Sequence, residues 1–477
     1  MTASCTADVA VIGSGPGGYR AAVLAALRGL KVVIIEKNTW GGTCLNRGCV
    51  PKKAWYHTAR IIADSAEFPG RGINGALRAD FAQAWHHQRQ VVDTVRASYT
   101  DYLGRLGVKA VQGAARFRGP GMLQVAGDTI AAGSIIIATG SQPWLPERLR
   151  PVPGRIITTD DLFDAPPPAG RRVAVLGSGA VGTEMAFIFS QLGLAVVWLS
   201  GREPLSDSAW SDPARTALRL ALARAGVTPR VQARITAAQA DADGVTLTLP
   251  GGVRERVDWV LAGTGRRPHT ADLELSRAGV ALDGRGHVVV DACNQAARGI
   301  YAIGDVANPG MSANHALADA TVAVANIIAP GSRRRDDRNV PEAVYSALEL
   351  ARVGLSEDQA EALDLEPAAG FAGFETSPAA LTEGERGGFL RIVADMDNGR
   401  ALGAEIVGRG AGELISLLGL EFGAPRALSR LAGAAYNHPT RAEEILNAVE
   451  TLAARWGMAR AVFPATCPGK TDGAAGE

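Results

Sequence analysis

Asp8-Val-Ala-Val-Ile-Gly13-Ser-Gly15-Pro-Gly-Gly18-Tyr19 begins as an apolar run of buried-strand type and closes on tightly spaced glycines. An Ala-rich apolar helix follows from Tyr19, and a second strand, Lys31 to Ile35, ends at Glu36. Each glycine answers a separate demand. Gly13 permits a tight turn, and Gly15 lets the backbone approach a pyrophosphate. Gly18 lets helix and strand pack closely, with the phosphates at the helix N-terminus. Glu36 stands 18 residues beyond Gly18, where a carboxylate accepts hydrogen bonds from a ribose diol. With strand, helix and acid all in order, the pattern predicts a dinucleotide-binding βαβ unit.

The pattern recurs. Arg171-Arg-Val-Ala-Val-Leu-Gly177-Ser-Gly179-Ala-Val-Gly182 opens a second unit, and the strand Leu194 to Leu199 follows it. At the equivalent 18-residue offset stands Ser200, with Arg202 two residues further on. A carboxylate there would repel a 2′-phosphate, whereas Ser and Arg can hydrogen-bond to one, so the expectation leans toward NADP over NAD. Glu203 pulls the other way, and a merely solvated loop is the bland alternative. Two such units predict an α/β chain with two Rossmann-like domains and two bound nucleotides.

Between them lies Gly41-Gly-Thr-Cys44-Leu-Asn-Arg-Gly-Cys49-Val-Pro-Lys-Lys53. A disulfide needs Cα atoms within about 4.4–6.8 Å. An ideal α-helix would hold residues at this spacing roughly 8.6 Å apart. The segment must be distorted to bridge, and Gly48 and Pro51 supply the means. A strained, short-loop disulfide is easily reduced, which suits a redox centre. Two unrelated buried thiols, or half a metal site, stay equally open on spacing alone. The first nucleotide unit adjoins the pair. A cofactor there would take a hydride on one side and exchange electron pairs with a dithiol on the other, which is flavin chemistry.

The 477 residues suggest roughly three domains of about 150 each. With 47% hydrophobic and 20% charged residues there is ample core, and a net charge of +1 implies no nucleic-acid partner. No run of about 18 apolar residues would span a membrane, and the N-terminus carries no signal-peptide pattern. Five cysteines argue against a secreted disulfide framework and for the cytoplasm. Cys5, Cys293 and Cys467 have no neighbouring partner in the sequence.

Further motifs follow in order: Ile135-Ile-Ile-Ala-Thr-Gly140, Leu261-Ala-Gly-Thr-Gly265-Arg-Arg-Pro268, Ile300-Tyr-Ala-Ile-Gly304-Asp305 and Tyr436-Asn-His438-Pro-Thr-Arg-Ala-Glu443. Together with the glycine units and the cysteine pair, they make the chain resemble the pyridine nucleotide–disulfide oxidoreductases from about residue 7 to 450. This is the family of dihydrolipoamide dehydrogenase and glutathione reductase. The resemblance implies an FAD-binding domain in two parts, 1–150 and 281–335, with an NAD(P)-binding domain at 151–280. An α+β dimerisation domain at 336–457 and a flexible tail at 458–477 complete the layout.

It also implies roles. Cys49 becomes the flavin-proximal thiolate and Cys44 the thiol that meets substrate. His438 is the base, oriented by Glu443 and reaching across a homodimer interface. Lys53 stands near the flavin with Glu184 as its partner. Asp305 binds the ribityl chain, and Gly140 and Gly265 close the strands after each nucleotide unit. No metal is implied. The substrate is a small disulfide or dithiol. Gly15-Pro-Gly-Gly-Tyr19, Ala-Thr-Gly-Ser141 and Cys-Leu-Asn-Arg-Gly-Cys resemble dihydrolipoamide dehydrogenases, whose substrate is a lipoyl group, in some cases on a carrier protein. Val50-Pro-Lys52-Lys53 and the missing acid at Ser200 resemble glutathione reductases. Mercuric-ion and large thioredoxin reductases are disfavoured because Cys467 stands alone. A bound flavoprotein component of a multienzyme complex, or a quinone-reducing flavoprotein, is the alternative of a different class.

Overall fold

β1 (Cys5–Ile12) is followed by α1 (Pro16–Leu27), β2 (Val32–Glu36), α2 (Gly42–Arg47), α3 (Cys49–Asp64), α4 (Phe81–Arg105) and β3 (Lys109–Gln112). The helix after the first glycine turn begins three residues earlier than the sequence suggested, because Pro16 fits a first helical position. β1 pairs in parallel with β2, Val9 opposite Val32 and Ile12 opposite Ile35, and with the strand Asp128–Ile137 on its other side. The sheet runs Gln295–Ala297, Ile300–Ala302, Asp128–Ile137, β1, β2, β3. Its apolar runs are continuous because both faces are covered. Val9 and Val11 face α1 and the helix Ala313–Ile328, while Ala10 and Ile12 face the layer that holds Phe117 and Leu123.

A second parallel sheet runs Ala195–Leu199, Arg172–Leu176, Trp259–Ala262, Ile156–Ile157. The helix Ala180–Gln191 follows its glycine turn, and an antiparallel trio, Ala237–Asp241, Gly244–Thr248 and Arg254–Val257, accompanies it. The computed structural model describes residues 5–385 and 387–464. It divides into two units, Met1–Glu203 with Pro229–Asp337, and Pro204–Thr228 with Arg338–Glu477. Both parallel sheets belong to the first, so the fold is α/β with two Rossmann-like nucleotide folds.

The second unit is built on a five-stranded antiparallel sheet, Glu342–Tyr345, Glu349–Gly354, Ala401–Val407, Phe389–Asp395, Pro367–Gly373. The helix Glu443–Trp456 lies hard against the last of these strands. A Cβ on Gly370 would fall 2.0 Å from the Ala448 carbonyl oxygen. The segment 204–228, expected inside the second nucleotide domain, groups with this unit. Ser211 caps its helix, Asp212–Arg224, and its amide donates to Glu405 at 2.9 Å. The first residues of the stretch expected to be a tail, 458–464, are part of this unit. Met458 and Val462 are buried in the core of this unit around a short helix, Ala459–Val462. Cys467 lies outside the described residues.

Candidate active site

The helix that would have held the two cysteines too far apart is broken between them. Gly48, at φ −141° and ψ −108°, separates α2 from α3. A Cβ there would lie 3.3 Å from the Thr43 carbonyl oxygen and 3.4 Å from the Cys44 Cα, so glycine lets the two helices meet. Pro51 falls in the first turn of α3, where its missing N–H costs nothing. Cys44 sits in α2 and Cys49 opens α3; both are free thiols and share a hydrogen bond.

That bond polarises the pair. The Cys44 thiol donates to Cys49, which holds the Cys49 pKa below the ordinary thiol value against the opposing effect of burial, and the Lys52 ammonium adds to it. The same bond, then burial and the negative charge on Cys49, push Cys44 well above the ordinary value. The N-terminus of α3 further favours a thiolate at Cys49. Cys49 is therefore the more acidic sulfur of the pair and Cys44 the less acidic one.

Lys52 pairs with Glu184, Nζ to Oε1 at 2.7 Å, where the resemblance implied Lys53. Consecutive residues on a helix point about 100° apart, and position 52 is the one that meets the buried Glu184 carboxylate on the helix Ala180–Gln191. Lys53 lies over the Tyr56 ring, 5.8 Å from its centroid.

The glycines of the first unit divide as their roles require. Gly13 has φ +102°, and a Cβ there would strike the Ala138 carbonyl oxygen at 2.4 Å. A Cβ on Gly18 would meet the Gly13 carbonyl oxygen at 1.9 Å, whereas Gly15 has nothing nearer than Gly42 Cα at 3.9 Å. The first is needed for the turn and the third for packing, and the second leaves open space before the backbone. Glu36 is buried and braces this loop, accepting from the Ser14 amide at 3.0 Å, the Ser14 hydroxyl at 2.7 Å and the Asn38 amide at 2.8 Å. Gly140 has φ +68° and accepts from the His269 amide at 2.9 Å. Asp305 accepts from the Ser141 hydroxyl at 2.5 Å.

The second unit repeats the division. Gly177 has φ +131°, and Cβ atoms at Gly177 and Gly182 would meet carbonyl oxygens at 2.4 and 2.3 Å, while Gly179 faces open space. Gly265, at φ +126°, accepts from the Trp144 amide at 2.9 Å. Ser200 departs from expectation. It is fully buried, and its hydroxyl donates to the Arg202 carbonyl oxygen within its own loop, so it is not presented to a phosphate. Arg202 is exposed, and Arg234 lies on the other side of the turn, its Nε 2.9 Å from where a Gly201 Cβ would be. Nothing in the sequence singled out Arg234, because it lies far along the chain from Ser200 and belongs to neither glycine motif.

In the second unit the His438 Nδ1 lies 2.9 Å from Glu443 Oε1, and the other carboxylate oxygen accepts from the Thr440 amide at 2.8 Å. That amide, and then the imidazole, hold the Glu443 carboxyl below its usual range. The His438 side chain is 72% exposed.

The chain matches the family model for the pyridine nucleotide-disulphide oxidoreductases over residues 7–325, and the model for their dimerisation domain over 340–449. It belongs to that family. A dihydrolipoyl dehydrogenase of Thermus scotoductus is 36% identical over 94% of this chain and 97% of its own length. A glutathione reductase of Burkholderia cepacia is 33% identical over 92% and 97%. Among solved structures, LpdA of Mycobacterium tuberculosis superposes with a TM-score of 0.87 at 24% identity, covering 94% of this chain and 99% of that one. That likeness concerns the fold.

As a member of this family, the chain is an FAD-dependent disulfide oxidoreductase that uses a pyridine nucleotide, and its dimerisation domain makes it a homodimer. The two glycine cradles, each with its middle glycine open, fit two dinucleotides. Among the described residues no helix is long and apolar enough to cross a membrane.

Tyr99 on α4 is a residue the sequence did not single out. It stacks on Tyr19 with ring centroids 4.2 Å apart, and its pKa is raised by burial and then by the negative charges of Cys44 and Cys49. It thus lies within electrostatic reach of the pair.

Proposed function

We propose that this oxidoreductase is dihydrolipoamide dehydrogenase-like, exchanging electrons between NAD(P)(H) and a lipoyl-type dithiol through the Cys44–Cys49 pair. The two thiols brought together across the break at Gly48, in a chain 36% identical to a dihydrolipoyl dehydrogenase, support the reading. Gly13, Gly15, Gly18, Glu36, Gly140 and Asp305 would hold FAD, and Gly177, Gly179, Gly182, Gly265 and Arg202 the nicotinamide nucleotide. Bound FAD supplies the two-electron carrier between nicotinamide and sulfur. The remaining chemistry belongs to the chain's own residues. A substrate thiolate attacks the oxidised pair at the Cys44 sulfur, breaking the disulfide and leaving Cys49 as thiolate beside Lys52. The second substrate thiol then displaces Cys44, closing the substrate disulfide. His438 takes the substrate proton, with Glu443 fixing its tautomer.

His438 is so exposed in one chain that we place it in the active site of the second copy. A cytoplasmic location fits a chain whose working sulfurs must be reduced in turn. A glutathione-type disulfide is the second reading, favoured by the use of Lys52 in the Cys-Val-Pro-Lys-Lys segment. Steady-state assays of purified holoprotein with each nicotinamide nucleotide, against lipoamide, dihydrolipoamide, glutathione disulfide and a quinone, separate the readings. Turnover of dihydrolipoamide at least about tenfold above the others supports the first. Turnover confined to glutathione disulfide or quinone overturns it.

A further inference from the structure

The segment between the cysteines is anchored at two points. Asn46 is buried, donates to the Trp40 and Gly42 carbonyl oxygens at 2.9 and 2.8 Å, and accepts two hydrogen bonds from the Arg96 guanidinium at 2.9 and 2.7 Å. Arg47 turns the other way, to the helix Thr159–Asp164, where its Nε meets Asp164 at 2.7 Å and its Nη1 meets Asp160 Oδ2 at 3.7 Å. The opposite oxygen of Asp160 faces the Arg266 Nη1 at 3.6 Å, and that oxygen is buried without a hydrogen bond. Arg266 in turn donates to the Ser141 hydroxyl at 2.7 Å and the Ser141 carbonyl at 2.9 Å, and the Ser141 hydroxyl donates to Asp305.

We infer that Asp160 is a positioning residue that joins the segment between Cys44 and Cys49 to the Ser141–Asp305 pair through one alternating line of charges, Arg47, Asp160, Arg266. The inference rests on the redox role proposed for the two cysteines. Its physical content is the position of Asp160. One carboxylate oxygen faces each guanidinium, so the half-buried Asp160 couples the placement of the two arginines. Burial pushes the Asp160 carboxyl up, against the pull of Arg266 and then Arg47. The line starts at a residue between the two sulfurs and ends on the acid beside the first nucleotide cradle. It thus ties the segment that carries the sulfur pair to the Ser141–Asp305 pair, and a change in its net charge adds to the potential at Cys49 by Coulomb interaction.

The test is the dithiol–disulfide equilibrium of the holoprotein, poised in dithiothreitol buffers and read by thiol labelling. Asp160→Asn removes the anion between two cations, which favours the thiolate-bearing dithiol. Arg266→Gln removes a cation, which disfavours it. The two variants are expected to move the equilibrium constant in opposite directions, each by about three- to tenfold. Arg47→Gln should follow Arg266→Gln, and Arg266→Lys should stay near wild type. Shifts of the same sign in Asp160→Asn and Arg266→Gln, or no shift in either, overturn the inference, since mere loosening of the fold has no sign. A wild-type protein with no dithiol–disulfide couple would remove the redox reading itself, and the inference with it.

Discussion

Lys52 and Glu184 join the start of the cysteine-bearing helix to the helix of the second nucleotide fold, Nζ to Oε1 at 2.7 Å. Both side chains are largely buried, so the pair is hard to break. Removing one partner of a buried pair strands the other as an uncompensated charge. Lys52→Met should lower the thermal midpoint, at a cost of about 2–3 kcal/mol for a pair that is not wholly buried. It should also move the Cys49 titration upward, because the Lys52 charge is one of the effects holding it down. Lys53→Met should do neither. Thermal unfolding and thiolate absorbance of both variants decide which lysine matters.

The polarised thiols make a prediction about pH. The Cys44 thiol's hydrogen bond is the largest effect lowering the Cys49 pKa. Cys44→Ala should let the Cys49 pKa rise, while Cys44→Ser, which keeps a donor, should hold it low. The Cys49 pKa is depressed in the folded protein, so its ionisation adds stability at pH above the ordinary thiol value. That contribution is lost as pH falls through the depressed value. In Cys44→Ala the loss should come at higher pH, as thiolate absorbance against pH will show.

The proposal that His438 works on the cysteines of the second copy makes a prediction of its own. His438→Ala should lower disulfide turnover by roughly 10²–10⁴-fold, with reduction of the bound cofactor by NAD(P)H nearly intact. Mixing inactive Cys44→Ser and inactive His438→Ala chains tests the placement, because a shared site regenerates one intact centre in each heterodimer. Recovery of activity on mixing supports it, and two inactive variants that stay inactive after subunit exchange contradict it.

Nicotinamide choice now rests on arginines. With the Ser200 hydroxyl turned into its own loop, a 2′-phosphate would be met by Arg202 and Arg234. Charge-assisted hydrogen bonds worth about 1.5–3 kcal/mol each correspond to roughly 10- to 100-fold in affinity. Arg202→Ala and Arg234→Ala should each raise KM for NADPH and leave KM for NADH unchanged. Equal effects on the two nucleotides would remove both arginines from phosphate recognition.

Much of the architecture was legible because glycine patterns state backbone requirements directly. Gly13 and Gly18 could be assigned a turn and a close packing from spacing alone, and the atoms a Cβ would strike are those the reading demands. The break at Gly48 was readable for the same reason. What spacing could not show was side-chain direction. Lys52 and Lys53 are neighbours in sequence, and only the path of α3 past Glu184 separates them. Ser200 fell at the ribose-reading offset, but its burial depends on a loop closed by Arg230 and Ala233. Tyr99 and Asp160 come from distant elements that no quoted motif covers, and Arg266, although inside the Leu261–Pro268 motif, had no role assigned to it.

The central claim is that Cys49 is the resident thiolate beside the flavin and Cys44 the sulfur that meets substrate. Anaerobic two-electron reduction of the holoprotein, followed by visible absorbance, tests it most directly. A long-wavelength thiolate-to-flavin charge-transfer band is expected in wild type, with its loss in Cys49→Ser and its retention in Cys44→Ser. A band that survives in Cys49→Ser and disappears in Cys44→Ser would contradict the assignment of the two sulfurs.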